Sequence, residues 1–201
     1  GNPSAENFDI ALTDIPSLND GEILCKAHYL SLDPYMRGQI SGRHISGTVR
    51  PGDLMRGETH SEVTESKSDA FKVGDLVMHF GGWQEYSVTN ADDATLVDKR
   101  LKPSSLALGI MGMPGLTAYA GVHYLGELKP SDVVLVSAAS GAVGSMVGQY
   151  ALHKGCRVVG IAGSNEKCGW LRDVAGFHST INYKNDTLVD AIKRECTDGV
   201  H

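Results

Sequence analysis

The chain has 201 residues, 41% of them hydrophobic and 21% charged, with 24 glycines. This is enough for a sizeable core, too balanced for a disordered or fibrous polymer, and better suited to two small domains than to one large one. A formal charge of −6 with no basic run lacks the electrostatic footprint of a protein that binds DNA, RNA or an anionic membrane surface.

The longest apolar stretch starts at Val133 and falls far short of the roughly 20 residues that cross a bilayer, and the first residues form no secretory h-region. The expectation is a soluble, cytoplasmic protein with neither nucleic acid nor membrane as partner. Cys25, Cys156, Cys168 and Cys196 stand far apart with no Cys-x-x-Cys pair. That spacing predicts reduced, structural thiols instead of a disulfide scaffold or clustered metal site.

In chain order, residues 21–31 alternate as a half-buried strand, with Ile23, Cys25, Ala27 and Tyr29 on one side and Glu22, Lys26 and His28 on the other. Short apolar runs over 75–80 and 84–88 then recur between turns such as Val73-Gly74 and Gly81-Gly82, predicting a small, irregular β-barrel or sandwich over roughly the first hundred residues. From Ser104 the period turns helical through Leu106, Leu108, Ile110 and Met111, then Leu116, Ala120 and Tyr124, with an interruption predicted at Met113-Pro114-Gly115. After Pro130 strands alternate with helices: strand 133–136, helix 142–154, strand 157–162, helix 164–174 stopped by Gly176, strand 180–183 and helix 186–196. Such a series with short loops makes a parallel sheet covered by helices.

The turn Ala139-Ser140-Gly141-Ala142-Val143-Gly144 follows a strand and opens a helix. Free backbone N–H groups and the dipole at a helix start attract a pyrophosphate, provided side chains leave the approach open, which is the task of Gly141 and Gly144. Ala139 replaces the first glycine of the dinucleotide fingerprint, so the strand–turn–helix setting carries the assignment. NAD-specific sheets place an acidic residue at the tip of the next strand to meet the ribose 2′-OH. Here that tip reads Ile161-Ala162-Gly163-Ser164-Asn165-Glu166-Lys167, and Ser164 with Lys167 suits the 2′-phosphate of NADP(H).

Four segments in order, Leu32-Asp33-Pro34-Tyr35-Met36-Arg37-Gly38, Gly112-Met113-Pro114-Gly115-Leu116-Thr117-Ala118-Tyr119, residues 137–148, and Gly163-Ser164-Asn165-Glu166-Lys167-Cys168, resemble the zinc-independent medium-chain reductases. Within that superfamily they are similar to the prostaglandin reductase, alkenal/one oxidoreductase and curcumin reductase group. The resemblance implies an α/β fold: a GroES-like β domain over 1–103 joined to the first half of a Rossmann domain, a doubly wound parallel sheet, over 104–201. It implies NADPH-dependent reduction of the C=C bond of α,β-unsaturated ketones and aldehydes, small-molecule substrates and a homodimeric parent protein. It places Met113 and Thr117 beside the cofactor, Lys167 and Tyr183 on the 2′-phosphate, and Tyr35 at the substrate cleft. Relative to that pattern the chain starts short of the first strand and stops where a fourth Rossmann strand begins, the mark of a fragment. Gly57-Glu58-Thr59-His60 departs from the small, glycine-rich sequence usual there.

Hydride delivery to the β-carbon of an enone builds charge on the carbonyl oxygen, and a Tyr35 phenol can donate to that oxygen without ionising. The bland alternative leaves Tyr35 as an aromatic packed at a strand end. A zinc alcohol dehydrogenase shares the two-domain plan but needs three ligands and an open position. Cys25 precedes the usual first-ligand position, and His60, which with Glu58 is the nearest thing to a His-Glu pair, reads as a surface histidine, so no metal is expected. A quinone reductase of the same superfamily, and a catalytically inert cofactor-binding fragment, are the competing readings.

Overall fold

Short apolar stretches between turns set the strands of the first half. The computed structural model describes residues 3–201, which divide into two units at Leu108/Gly109. In the first, β1 (Glu22–Leu30), β2 (Thr59–Ser66), β3 (Leu76–His79), β4 (Tyr86–Asn90) and β5 (Thr95–Leu96) form one antiparallel sheet in the order β4-β1-β2-β3-β5. Helix α1 (Pro34–Ile40) follows β1 directly, with Pro34 in its first turn where no N–H is required.

One face of this sheet changes character along its length. Ile23, Cys25, Val63 and Val77 make an apolar cluster. Further along the same face, Thr59, Ser61, His79 and Ser87 are buried and polar. Ser61 donates its hydroxyl to Thr59 Oγ1 at 3.1 Å, Thr59 donates to the His79 carbonyl at 3.2 Å, and His79 Nε2 lies 3.2 Å from Ser61 Oγ. Burial of polar groups is tolerable when they satisfy one another in this way.

Two expectations for this unit need correction. β1 does not alternate cleanly: Ile23, Leu24 and Cys25 are all buried, and Tyr29 is exposed. The β1–β2 register shifts twice, with the extra residue in β2 between Leu24 and Cys25 and in β1 between Ala27 and Tyr29, and the second shift turns the following β1 side chains to the opposite face. His60 is not a surface histidine but fully buried, flanked by strands β1 and β3, with the rings of Tyr29 and His28 at 5.5 and 6.1 Å.

In the second unit, β6 (Val133–Val136), β7 (Arg157–Ala162) and β8 (Ser179–Asn182) form a parallel sheet in that order. Helices α3 (Ala142–His153), α4 (Asn165–Asp173) and α5 (Leu188–Glu195) alternate with them. Val134, Val136, Val158 and Ala162 face one apolar cluster, while Val133, Val159 and Ile181 face the other. Both faces are therefore buried, as a parallel sheet requires. Phe177 packs into the gap left by Gly148 of α3, where any Cβ would overlap its ring.

Met113-Pro114-Gly115 is the start of a helix and not an interruption. α2 (Met113–Ala120) begins there, Pro114 occupying the first turn, and Gly115 lies so close to the Ile110 carbonyl that a Cβ would overlap it. α2 packs on α3. Among the described residues no helix is long and apolar enough to cross a membrane, and all four cysteines are buried free thiols.

Candidate functional site

Between β6 and α3 the chain turns through 137–141. Ala139 is fully buried and donates its N–H to the Ile161 carbonyl of β7 at 3.0 Å, which fastens the turn to the neighbouring strand. Ala138 adopts φ +46°, a left-handed conformation that a non-glycine residue holds only at a cost. Its carbonyl accepts the Gly141 N–H at 2.9 Å. A Cβ on Gly144 would lie 2.5 Å from that carbonyl and 2.9 Å from Ala139 Cα, so only glycine lets α3 start this close to the turn. Gly141, whose N–H is spent inside the turn, contributes a missing side chain and not a donor. The N–H groups of Ala142, Val143 and Gly144 belong to the first helical turn, where no intrahelical acceptor exists. Gly141 and Ala142 are exposed, and Val143 and Gly144 are half-buried. The cradle fits an anionic diphosphate: exposed at Gly141 and Ala142, lined by donors, and at the positive end of a 12-residue helix.

The end of β7 gathers the remaining cofactor candidates of this unit. Ser164 caps α4, its Oγ accepting the Lys167 N–H at 3.2 Å, which leaves its own hydroxyl proton to donate. Tyr183 immediately follows β8, donates its N–H to the Ala162 carbonyl at 3.2 Å, and lays its ring over Gly163, where a Cβ would stand 2.8 Å from the phenol oxygen. Lys167 and Tyr183 are both exposed. A recess of about 230 Å³, lined by Ser140, Glu166, Lys167 and Trp170, joins the glycine turn to the first turns of α4. Ser140 and Trp170 escaped the sequence reading. Ser140 fills a variable position of the motif, whereas Trp170 stands three residues beyond Lys167, a helical spacing that points to the same face.

Met113 and Thr117 lie one turn apart on α2, both exposed, and neither lines that recess. Thr117 donates its hydroxyl to the Met113 carbonyl at 2.7 Å, so its proton is already committed.

Tyr35 belongs to the first unit. It lines a cavity of about 580 Å³ together with His44, Leu54, Met55, Phe80 and Val88, and its ring lies 5.5 Å from that of His44. Burial, with the Asp33 and Glu58 carboxylates, pushes the Tyr35 phenol above its usual value, against the opposing pull of Arg56. The phenol therefore keeps its proton and acts as a donor. Burial and Asp33 likewise push Glu58 up.

The groups weighed as zinc ligands lie in a different chemical setting. Burial pushes the Cys25 thiol up to about 11, and burial lowers His60, whose two ring nitrogens have no partner. Among the described residues no three His, Cys, Asp or Glu side chains cluster to hold a metal ion.

Residues 1–97 match a family model described as the N-terminal domain of oxidoreductase, and residues 142–201 match one described as zinc-binding dehydrogenase. Over 203 aligned positions the chain is 43% identical to prostaglandin reductase 1 of Bos taurus, covering 99% of this chain and 60% of that protein. The chain belongs to the medium-chain dehydrogenase/reductase family. Another member of that family, the NADP(+)-dependent 2-alkenal reductase of Nicotiana tabacum, is 43% identical over 97% of this chain and 57% of its own length. The crystal structure of CurA in complex with NADPH from Vibrio vulnificus superimposes with a TM-score of 0.92 at 42% identity, over 98% of this chain and 59% of that one. The architecture is thus a GroES-like β domain followed by part of a Rossmann domain. The chain spans about 60% of the length of the relatives it matches.

Proposed function

We propose that this chain carries the cofactor cradle and the substrate-side tyrosine of an NADPH-dependent reductase acting on the C=C bond of α,β-unsaturated ketones and aldehydes. The observation that carries the proposal is the head of α3, exposed at Gly141 and Ala142 and drawn close to the turn by Gly144, with one recess running from Ser140 of that turn to Lys167. There the N–H groups of Ala142, Val143 and Gly144 hold the diphosphate, while Ser164, Lys167 and Tyr183 hold the 2′-phosphate. Met113 and Thr117 border the cofactor through their exposed side chains. The relatives named for 2-alkenal reduction and bound to NADPH support the same chemistry.

When bound, NADPH would supply a hydride to the β-carbon of the enone, and a proton from solvent would complete the reduction at the α-carbon. Tyr35 donates a hydrogen bond to the carbonyl oxygen as negative charge develops there, and its raised pKa keeps that donor intact. The apolar side chains of Leu54, Met55 and Phe80 accept the alkyl part of the substrate. The protein works as a homodimer in the cytoplasm, where its four thiols stay reduced.

The test is the protein mixed with NADPH and a medium-chain 2-alkenal, following loss of the near-ultraviolet absorbance of NADPH. Turnover is expected, and Tyr35→Phe lowers kcat/KM by about tenfold or more while NADPH affinity holds. Tyr35→Phe activity within about twofold of the parent removes that role, and NADPH binding without turnover favours an inert cofactor-binding chain.

A further inference from the structure

Three asparagines join the start of α4 to the turn after β8. Asn165 is the first residue of α4, and its Oδ1 accepts from Asn182 Nδ2 at 2.7 Å and from Asn185 Nδ2 at 3.1 Å. The orientation of these amides is determined and not arbitrary. Asn182 Oδ1 accepts the Lys184 N–H at 3.1 Å, so its Nδ2 must be the end turned to Asn165, and Asn165 must present its oxygen. Asn182 is buried, and its carbonyl accepts the N–H groups of Asn185 and Asp186 at 3.0 and 3.1 Å, closing a tight turn around Tyr183.

This clamp spans the two groups assigned to the 2′-phosphate. Lys167 stands two residues after Asn165 on α4. Tyr183 directly follows Asn182, its ring held over Gly163. The pyrophosphate cradle is fastened separately, through the Ala139 N–H to Ile161. Loosening the asparagine clamp therefore removes the side-chain link between the Tyr183 turn and α4, leaving the Tyr183 N–H on Ala162 and the head of α3 on its own bond.

We infer that Asn165 is a positioning residue for cofactor choice: it sets the spacing of Lys167 and Tyr183, and with it the preference for a dinucleotide carrying a 2′-phosphate. This rests on the cofactor reading above. Asn165 needs no contact with the cofactor for this role. Its loss leaves the buried amide of Asn182 without an acceptor, and the strand-end turn relaxes to find another partner.

The experiment measures affinities of the protein for NADPH, NADH, 2′,5′-ADP and 5′-AMP by calorimetry, for the unaltered protein and for Asn165→Ala and Asn185→Ala. The two nucleotide fragments report the 2′-phosphate subsite without the nicotinamide. Asn165→Ala is expected to weaken NADPH and 2′,5′-ADP by about tenfold, a change of about 1.4 kcal/mol, with NADH and 5′-AMP within about twofold. Asn185→Ala, an exposed change that spares the Asn182 bond, shifts the same ratio in the same direction by a smaller factor, and serves if Asn165→Ala fails to fold. Equal losses for both members of each pair overturn the inference, since a merely structural residue acts on both cofactors alike. An unchanged ratio in the two variants overturns it as well. If the unaltered protein shows no preference for NADPH over NADH, the 2′-phosphate assignment itself falls and takes the inference with it. A preserved preference in Asn165→Ala sinks the inference alone.

Discussion

The two units solve the burial of polar groups in opposite ways. The antiparallel sheet of the first unit takes polar side chains into its interior, where Thr59, Ser61 and His79 bond one another and His60 stays unpaired. The parallel sheet of the second buries apolar residues on both faces and leaves its polar chemistry at the strand ends. The difference follows from chain direction. Parallel strands alternating with helices bring the ends of β6, β7 and β8 to one edge, with helix starts pointing at it, so backbone N–H groups collect where a ligand can reach them. An antiparallel sheet sends successive strand ends to opposite edges, and side chains must supply the polar groups instead.

The sharpest way to break this comparison is Gly144→Val. A Cβ there meets the Ala138 carbonyl at 2.5 Å, so the head of α3 must move away from the turn. NADPH affinity is expected to fall by about 100-fold, and stability of the second unit by roughly 1–3 kcal/mol from overpacking. Calorimetry and thermal melts check both, and unchanged binding means that the helix head is not the cradle.

A smaller effect is expected from Lys167→Glu, which reverses one charge at the edge of the same recess. NADPH binding weakens by at least about tenfold while NADH is spared, because only the former brings a 2′-phosphate. Equal effects on the two cofactors identify Lys167 as an ordinary solvated lysine.

The smallest effect sharpens the other side of the comparison. Burial lowers the pKa of His60 and of His79, and both stay neutral in the folded sheet but take up a proton once unfolded near the ordinary value of 6.5. Above that pH neither state binds the extra proton and stability is complete. As pH falls below 6.5 the unfolded state gains protons first, so stability declines until the folded-state values are reached. A Tm lower by several degrees at pH 5.5 than at pH 7.5 is expected in the first unit, with a smaller drop in His60→Phe. A flat profile across that range shows that the buried rings titrate normally.

Most of the second unit was legible because its signals are local. Val133–Val136 and Arg157–Ala162 announce themselves by β-branched runs, and the turn before α3 by its glycines, since hydrophobic period and backbone permissiveness are properties of a few adjacent residues. Where interactions cross between strands, the sequence was a poorer guide. The β1 alternation failed at Leu24, buried between two buried neighbours, and at the register shift before Tyr29, and His60, polar and two residues after Glu58, read as surface although neighbouring strands bury it. Pro114 marked a helix boundary correctly as a type of residue but on the wrong side, because proline suits a first turn as well as it ends a preceding one.

By itself the sequence determined the alternation of strands and helices after Pro130, the glycine turn that opens α3, and the neutral strand tip at Gly163 with Lys167 beyond it. Only the tertiary structure decided which N–H groups at that turn remain free, that Tyr183 lies over Gly163, and that Asn165, Asn182 and Asn185 share one set of hydrogen bonds. The physical reason is range: backbone preference and hydrophobic period act over a few residues, whereas a hydrogen bond at about 3 Å between groups some 20 positions apart exists only after the strands have been placed side by side.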